Sequence, residues 1–287
     1  MDKFISYAQN CEDVILWRAL RGIPSGRYMD IGANHPLNDS VTKAFYDRGW
    51  RGINVEPIRS LCDLLLAERP QDINLCCAVS SRPGTTKFYE VDEASGLSTL
   101  DTEIAESHAQ SGRNVRAYDV AVETISSICA LHDIDNVHFL KIDVEGAELA
   151  VLEGMPFDRL KPWIIVVEAT KPNTQTPSHQ SWEPMLLSHG YSFVYFDGAN
   201  RYYLHVGHQE LSHAFDAPPN AFDNYIQYPV YRQLMDELDF VRAESAAYKK
   251  RLDSIRASMS WKLTKPLRGI HHILSMASGK LKRLLHV

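Results

Sequence analysis

Four carboxylates stand where apolar runs stop. Tyr28-Met29-Asp30-Ile31 leads into Gly32-Ala33-Asn34-His35-Pro36, and Gly52-Ile53-Asn54-Val55 ends in Glu56. Phe139-Leu140-Lys141-Ile142 ends in Asp143, and Trp163-Ile164-Ile165-Val166-Val167 ends in Glu168. Short apolar runs of this kind read as buried parallel strands. Side by side, their acids would converge on the crevice at the carboxyl edge of one sheet, where open α/β sheets bind ligands. Helix capping accounts for any one of these acids but poorly for all four. Gly32 permits a positive φ and a close backbone approach in that crevice.

A dinucleotide would require Gly-x-Gly-x-x-Gly so that a helix N-terminus can meet a pyrophosphate. The turn after Gly32 lacks the later glycines, and Pro36 removes an N–H. S-adenosylmethionine fits better. It carries no phosphate, its sulfonium and ammonium suit an acidic crevice, and Glu56 is placed to take the two ribose hydroxyls. A nicotinamide oxidoreductase is disfavoured on the same ground.

The elements that would hold these residues follow from periodicity. A helix through Val14, Ile15, Trp17 and Leu20, capped by Asn10, precedes the first strand. Asp39 or Ser40 starts a second helix through Val41, Ala44 and Phe45. Pro57 opens a third, with Leu61, Leu64 and Leu65 toward the sheet. Residues 73–79 read as one further buried strand. Residues 85–91 and 115–122 read as extended, 123–132 as a helix, and 171–180 as a loop near the crevice. The segments 191–196 and 201–206 make a closing antiparallel hairpin around Asp197-Gly198-Ala199-Asn200. The expected fold is α/β: a doubly wound, mostly parallel sheet over residues 1–225, then a helical, basic extension over 226–287. Within the extension, 230–255 reads as a long polar helix, a poor core element.

Composition sets outer bounds. With 287 residues and 45% hydrophobic content, the chain can bury a sizeable core. A net charge of -6 disfavours general nucleic-acid binding. The five cysteines, Cys11, Cys62, Cys76, Cys77 and Cys129, show no metal-ligand spacing and read as buried free thiols of a reducing compartment. Met1-Asp2-Lys3-Phe4 opens no long apolar stretch, and no run suggests a membrane span. The expected location is cytoplasmic, with peripheral contact at the inner face of the cell membrane as an option.

Several segments together resemble the FkbM-type methyltransferases. They are Ser6-Tyr7-Ala8-Gln9-Asn10-Cys11-Glu12-Asp13, Asp30-Ile31-Gly32-Ala33-Asn34, Val55-Glu56-Pro57, Ala78-Val79-Ser80, and Lys141-Ile142-Asp143-Val144-Glu145-Gly146-Ala147-Glu148. The likeness covers roughly 1–223, and His35-Pro36 departs from it. It implies a Rossmann-like class I methyltransferase sheet and O-methylation with S-adenosylmethionine. The subgroup it points to is linked to bacterial polysaccharide biosynthesis, with a glycan hydroxyl as acceptor and glycosyltransferases as partners. By this resemblance Asp30, Gly32 and Asn34 line the methionine end. Glu56 holds the ribose, Ala78 and Val79 flank the adenine with Ser98 nearby, and Asp143 sits at the transfer centre.

An alcohol needs a base as the new bond forms, which contributes roughly 10²–10⁴-fold. Asp143, Glu145, Glu168 and His35 are the candidates. A divalent ion such as Mg²⁺ on Asp143 and Glu168, with Asp197 or His35, is the second option. Trp182, Tyr195, Tyr202 and Tyr203 could stack on a sugar or simply pack a core. Ser258-Met259-Ser260-Trp261-Lys262-Leu263-Thr264-Lys265-Pro266-Leu267-Arg268 resembles the ends of bacterial glycosyltransferases. Beyond it, Ile270, Ile273, Leu274, Ala277, Leu281, Leu284 and Leu285 recur near helical spacing beside Lys280, Lys282 and Arg283, which suits an interfacial helix on an anionic membrane as well as it suits a partner-docking helix or a solvated, partly disordered end. A non-catalytic glycan-binding or scaffold module that keeps the fold is the alternative function.

Overall fold

The computed structural model describes residues 3–92, 95–172 and 174–266. The chain divides into two compact units, Met1–Tyr228 and Pro229–Val287. In the first unit the elements run β1 (Phe4–Ser6), α1 (Glu12–Leu20), β2 (Arg27–Ile31), α2 (Lys43–Asp47), β3 (Arg51–Val55), α3 (Arg59–Glu68), β4 (Ile73–Leu75), β5 (Ala78–Val79) and β6 (Gly84–Val91). They continue with α4 (Thr102–Gln110), β7 (Val115–Glu123), α5 (Ile125–His132), β8 (Phe139–Ile142), α6 (Glu148–Glu153), β9 (Ile164–Glu168), α7 (Glu183–Ser188), β10 (Tyr191–Phe196), β11 (Asn200–His205) and β12 (Tyr225–Gln227). α8 (Tyr228–Ala257) carries the chain into the second unit, which also holds α9 (Met259–Leu263).

The main sheet has seven strands in the order β10-β11-β9-β8-β2-β3-β4. β9, β8, β2, β3 and β4 are parallel. Side chains alternate between the two faces of a strand. Tyr28 and Phe139 therefore join a core with Leu16, Leu20 and Phe45 of α1 and α2. Met29, Ile31, Leu140 and Ile142 join the opposite core with Ile125, Ile128, Val151 and Leu152 of α5 and α6. Helices thus cover both faces, as double winding requires. β11 is antiparallel to both β9 and β10, so it inserts between them and β10 returns to the common direction at the edge.

Several sequence expectations change. α1 has Cys11, in the left-handed region, at its N-cap, and Asn10 makes no side-chain cap. α2 begins after Thr42, later than Asp39 or Ser40. α3 begins at Arg59 and not at Pro57, with Leu61 and Leu65 inward and Leu64 exposed. The 73–79 run is two strands. β4 pairs with β3, whereas β5 leaves for a second sheet, β5-β7-β6. Cys62 and Cys76 form a disulfide, with Cα atoms 5.6 Å apart, because α3 folds back beside the end of β4. The free-thiol reading holds only for buried Cys11, Cys77 and Cys129. The first unit closes by parallel pairing of β1 with β12 and by the Arg18–Asp223 fork, at 2.8 and 2.7 Å. That pairing carries the unit a few residues past 225. No described helix is long and apolar enough to cross a membrane. The reading of the segment after Pro266 falls outside the described residues.

One residue that sequence reasoning passed over fixes the loop above the crevice. Arg69, fully buried at the end of α3, donates to Thr42 Oγ1 at 2.5 Å, to the Pro36 carbonyl at 2.6 Å and to Ser40 Oγ. Arg69→Leu keeps the bulk but strands those acceptors. The expected loss is about 3 kcal/mol, from unmet hydrogen bonds to a buried charged group. Urea unfolding measures it; a midpoint equal to wild type would refute the role of this network.

Candidate functional site

The residues singled out from sequence converge. Asp30, Gly32, Asn34, His35, Glu56, Ala78, Val79, Ser98, Asp143, Glu145 and Glu168 all line one cleft of about 1000 Å³. It opens where β2, β3, β8 and β9 end, which follows from their parallel register: Ile31 lies beside both Val55 and Ile142.

The turn after β2 is set by close approach. Gly32 has φ +81°, and a Cβ there would stand 1.8 Å from the Asp143 carbonyl oxygen. Its N–H donates to the Val55 carbonyl at 3.0 Å. Asn34 also takes a positive φ, and its N–H donates to Glu56 Oε2 at 2.8 Å. Ile58 N–H donates to Glu56 Oε1 at 2.8 Å. Each Glu56 oxygen therefore has one amide and keeps one acceptor position. Burial pushes this carboxyl up to about 7, against the pull of those two amides. Beside it Ile58, Leu61, Ala78 and Phe88 form one apolar cluster, and all four line the cleft. The Ser98 hydroxyl accepts from the Val91 N–H at 3.0 Å.

The opposite end is acidic. Asp143, Glu145 and Glu168 each bring a carboxylate oxygen within 4.8 Å of the others. Glu145 Oε2 and Glu168 Oε2 are buried and make no hydrogen bond, nor does Asp30 Oδ1. Burial, and then the neighbouring carboxylate Asp143, hold Glu168 and Glu145 well above the ordinary glutamate range, and Lys141 opposes this. Asp30 is raised by burial too, and its other oxygen accepts from Thr42 Oγ1 at 3.1 Å.

Lys141 is the site residue that sequence reasoning quoted without giving it a role. It is 6% exposed, and its Nζ donates to Asp143 Oδ2 at 2.7 Å. Burial disfavours the charged amine, but Asp143, Asp30 and Glu12 outweigh that and raise its pKa. The available signal was a lysine inside the apolar run Phe139-Leu140-Lys141-Ile142, because a buried amine demands anionic partners. Glu12 stands in the sequence only as a member of the opening motif, without a role of its own. It lines the cleft, accepts from Asn10 N–H at 2.8 Å and Asn200 Nδ2 at 3.1 Å, and is raised to about 7 by burial and then by Asp197. Its neighbour Asp13 accepts from the Ser6 hydroxyl and Tyr7 N–H, which explains the spacing of that opening motif.

Two expectations meet contrary geometry. His35 Nδ1 accepts from the N–H groups of Leu37 and Asn38, both at 3.1 Å. Burial lowers the ring's pKa. The neutral ring with Nδ1 occupied carries its proton on Nε2 and offers no free acceptor, so His35 suits turn-holding and not base catalysis. Trp182, Tyr202 and Tyr203 are buried at 1%, 0% and 0% exposure in the two main cores. β11 lies inside the sheet, so its aromatics pack against helices. With Tyr195 half-buried in the same core, none of the four lines the cleft. Tyr202 instead donates to Asp197 Oδ2 at 2.9 Å, fixing an acid at the rim.

The donor set can hold a cation at the acidic end and a flat apolar group beside Glu56. Comparison with known proteins agrees with a methyltransferase. No curated protein matches the sequence. Among solved structures, methyltransferase FkbM from Methylobacillus flagellatus KT is similar at 15% identity, with 66% of this chain and 48% of that chain covered and a TM-score of 0.42. The chain thus spans about half the length of that protein. Precorrin-6y C5,15-methyltransferase from Geobacter metallireducens GS-15 is similar at 16% identity, over 67% of this chain and 76% of that chain, with a TM-score of 0.31. The family model for the methyltransferase FkbM domain matches residues 30–193, more than half of the chain and the whole run of strands from Asp30 through Glu168. The chain belongs to the methyltransferase FkbM domain family.

Proposed function

We propose that this protein is an S-adenosylmethionine-dependent O-methyltransferase whose acceptor is a hydroxyl of a sugar or glycan. The observation that carries the reading is the cleft itself. Buried carboxylate oxygens of Asp30, Glu145 and Glu168 with no partner face one end, and Glu56 with an apolar wall stands at the other. Unpartnered acidic oxygens are costly unless a cation or a proton satisfies them. They fit the sulfonium and ammonium, Glu56 fits the ribose diol, and Ala78 with Phe88 fits the adenine.

Bound there, S-adenosylmethionine would supply an electrophilic methyl group, its sulfur keeping the electron pair of the broken bond. The chain's residues align and deprotonate. Glu168 is the base we favour. Asp143 is engaged by Lys141, His35 has no free acceptor, and Glu145 sits in a left-handed turn with Thr99 Oγ1 on its carbonyl at 2.7 Å. A cation beside Glu168 opposes the effect of burial, so the carboxylate ionises when the site fills and can then receive the hydroxyl proton. Asn10, Asn38, Thr170, Thr174 and Gln175 line the rest of the cleft, and such hydrogen-bonding groups suit a polyhydroxylated acceptor. The surface-polysaccharide context and glycosyltransferase partners rest on sequence resemblance; a cytoplasmic location rests on composition, and membrane-peripheral contact on the apolar and basic spacing of residues 270–285.

Calorimetric titration with S-adenosylmethionine tests the reading. Raised carboxyls are protonated in the free protein and ionise against a cation, so binding releases protons, and buffers of different ionisation enthalpy reveal them. Other buried carboxyls add to the pH trend of the free protein. Glu12, Asp13 and Glu56, raised to about 7, contribute stability that is full below their ordinary carboxyl range and is lost as pH rises through about 7. Because binding releases protons, the thermal shift given by the cofactor should grow as pH rises. Folded protein that binds no cofactor would support the non-catalytic glycan-binding or scaffold alternative. Asp143, Glu145 and Glu168 could together hold a divalent ion. Unchanged turnover in chelator is expected, and loss restored by Mg²⁺ would transfer the cluster to a metal.

A further inference from the structure

α8 is a 30-residue helix that buries none of its side chains. Its apolar residues nevertheless keep a strict order. Leu234, Leu238, Val241, Tyr248, Leu252 and Ile255 follow one another at alternating intervals of four and three, with Ser245 filling the single polar step. Each of the six is at least 41% exposed. A seven-residue repeat of this kind defines the a and d positions of a coiled coil. Leu238, Ser245 and Leu252 fall at a, and Leu234, Val241, Tyr248 and Ile255 at d. A lone helix does not need a seam of spacing 3.5, and an ordinary surface helix buries its stripe in its own domain.

The flanking charges identify the occupant. Positions g carry Glu237, Glu244 and Arg251, and positions e carry Arg242, Lys249 and Arg256. In a parallel, in-register assembly each g residue meets the e residue five positions later on the neighbouring helix. That places Glu237 against Arg242 and Glu244 against Lys249, repeated at every interface. Arg251 against Arg256 is the single unfavourable pair. An antiparallel partner would set e against e, where Arg242, Lys249 and Arg256 are all basic, and so would bring like charges together on that side. The stripe is therefore complementary to itself in one orientation.

From this we infer that α8 is an oligomerisation helix, whose partner is α8 of further copies of this chain in a parallel coiled coil. Leu238 and Leu252 at a beside the β-branched Val241 and Ile255 at d favour more than two strands, whereas Leu234 and Tyr248 at the other d positions carry no such preference. Several methyltransferase units are thereby gathered on one stalk.

The experiment is the molar mass of the full chain by light scattering after size exclusion. Wild type is expected at a multiple of the monomer mass, and L238E/L252E at the monomer mass with lower helicity, since an isolated helix is marginal. F240E, exposed but outside the seam, should keep the wild-type mass. A second pair guards against simple misfolding. E237K/E244K and R242E/K249E should each dissociate alone, and their mixture should recover the multiple. A monomeric wild type across the accessible concentrations would overturn the proposal, leaving the stripe to the chain's own later residues or to another protein. So would an oligomer that L238E/L252E leaves intact.

Discussion

Gly32→Ala is expected to abolish methyl transfer and to cost about 3–5 kcal/mol of stability, from a left-handed non-glycine residue combined with overpacking. The added Cβ would lie 1.8 Å from the Asp143 carbonyl at φ +81°. Neither side can yield easily. Asp143 N–H is bonded to the Ile31 carbonyl at 3.0 Å, and β2 is locked between β3 and β8. Gly49→Ala is the matched control, because Gly49 has φ +88° with nothing within 4 Å of a built Cβ. It should show only the conformational cost, about 1 kcal/mol. Urea unfolding and cofactor titration of both variants separate backbone strain from the clash. Equal losses would mean that the approach to Asp143 is unimportant.

Glu168→Gln is expected to lower kcat by roughly 10²–10⁴-fold, the usual contribution of a positioned base, while cofactor affinity changes only a few-fold. Glutamine preserves the volume at the end of β9 and cannot take the proton. It also removes one of the three clustered carboxylates, so proton release on cofactor binding should shrink in parallel. In wild type, kcat/KM should rise with pH until Glu168 is ionised, since burial and Asp143 raise its pKa and only the deprotonated form serves. Glu168→Gln should flatten that rise. Wild-type turnover by this variant, with its pH dependence intact, would move the base to Glu145 or to a bound ion.

Much of the cleft could be read along the chain, since a strand ending in an acid is a local pattern. Asp30, Glu56, Asp143 and Glu168 needed only the assumption that their strands share a sheet. Charge inside an apolar run was equally visible at Lys141, but its use was not. The amine means little until Asp143 at 2.7 Å and the nearby Asp30 are known to share its surroundings. Arg69 was hidden for the same reason, because its partners Pro36, Ser40 and Thr42 lie about thirty positions away.

Periodicity and residue type alone determined the alternation of strands and helices, the parallel sheet, the Gly32 turn and the acids at the strand ends, because backbone preference and hydrophobic spacing act over a few residues. Tertiary structure alone decided the rest. It placed β11 between β9 and β10, which buries Trp182, Tyr202 and Tyr203 away from the cleft. It divided 73–79 between two sheets and joined Cys62 to Cys76. It also left two carboxylates of the acidic cluster with buried, unpartnered oxygens. Strand order, burial and the dielectric around a charge arise from contacts between residues far apart in the chain, and these form only when the sheet closes.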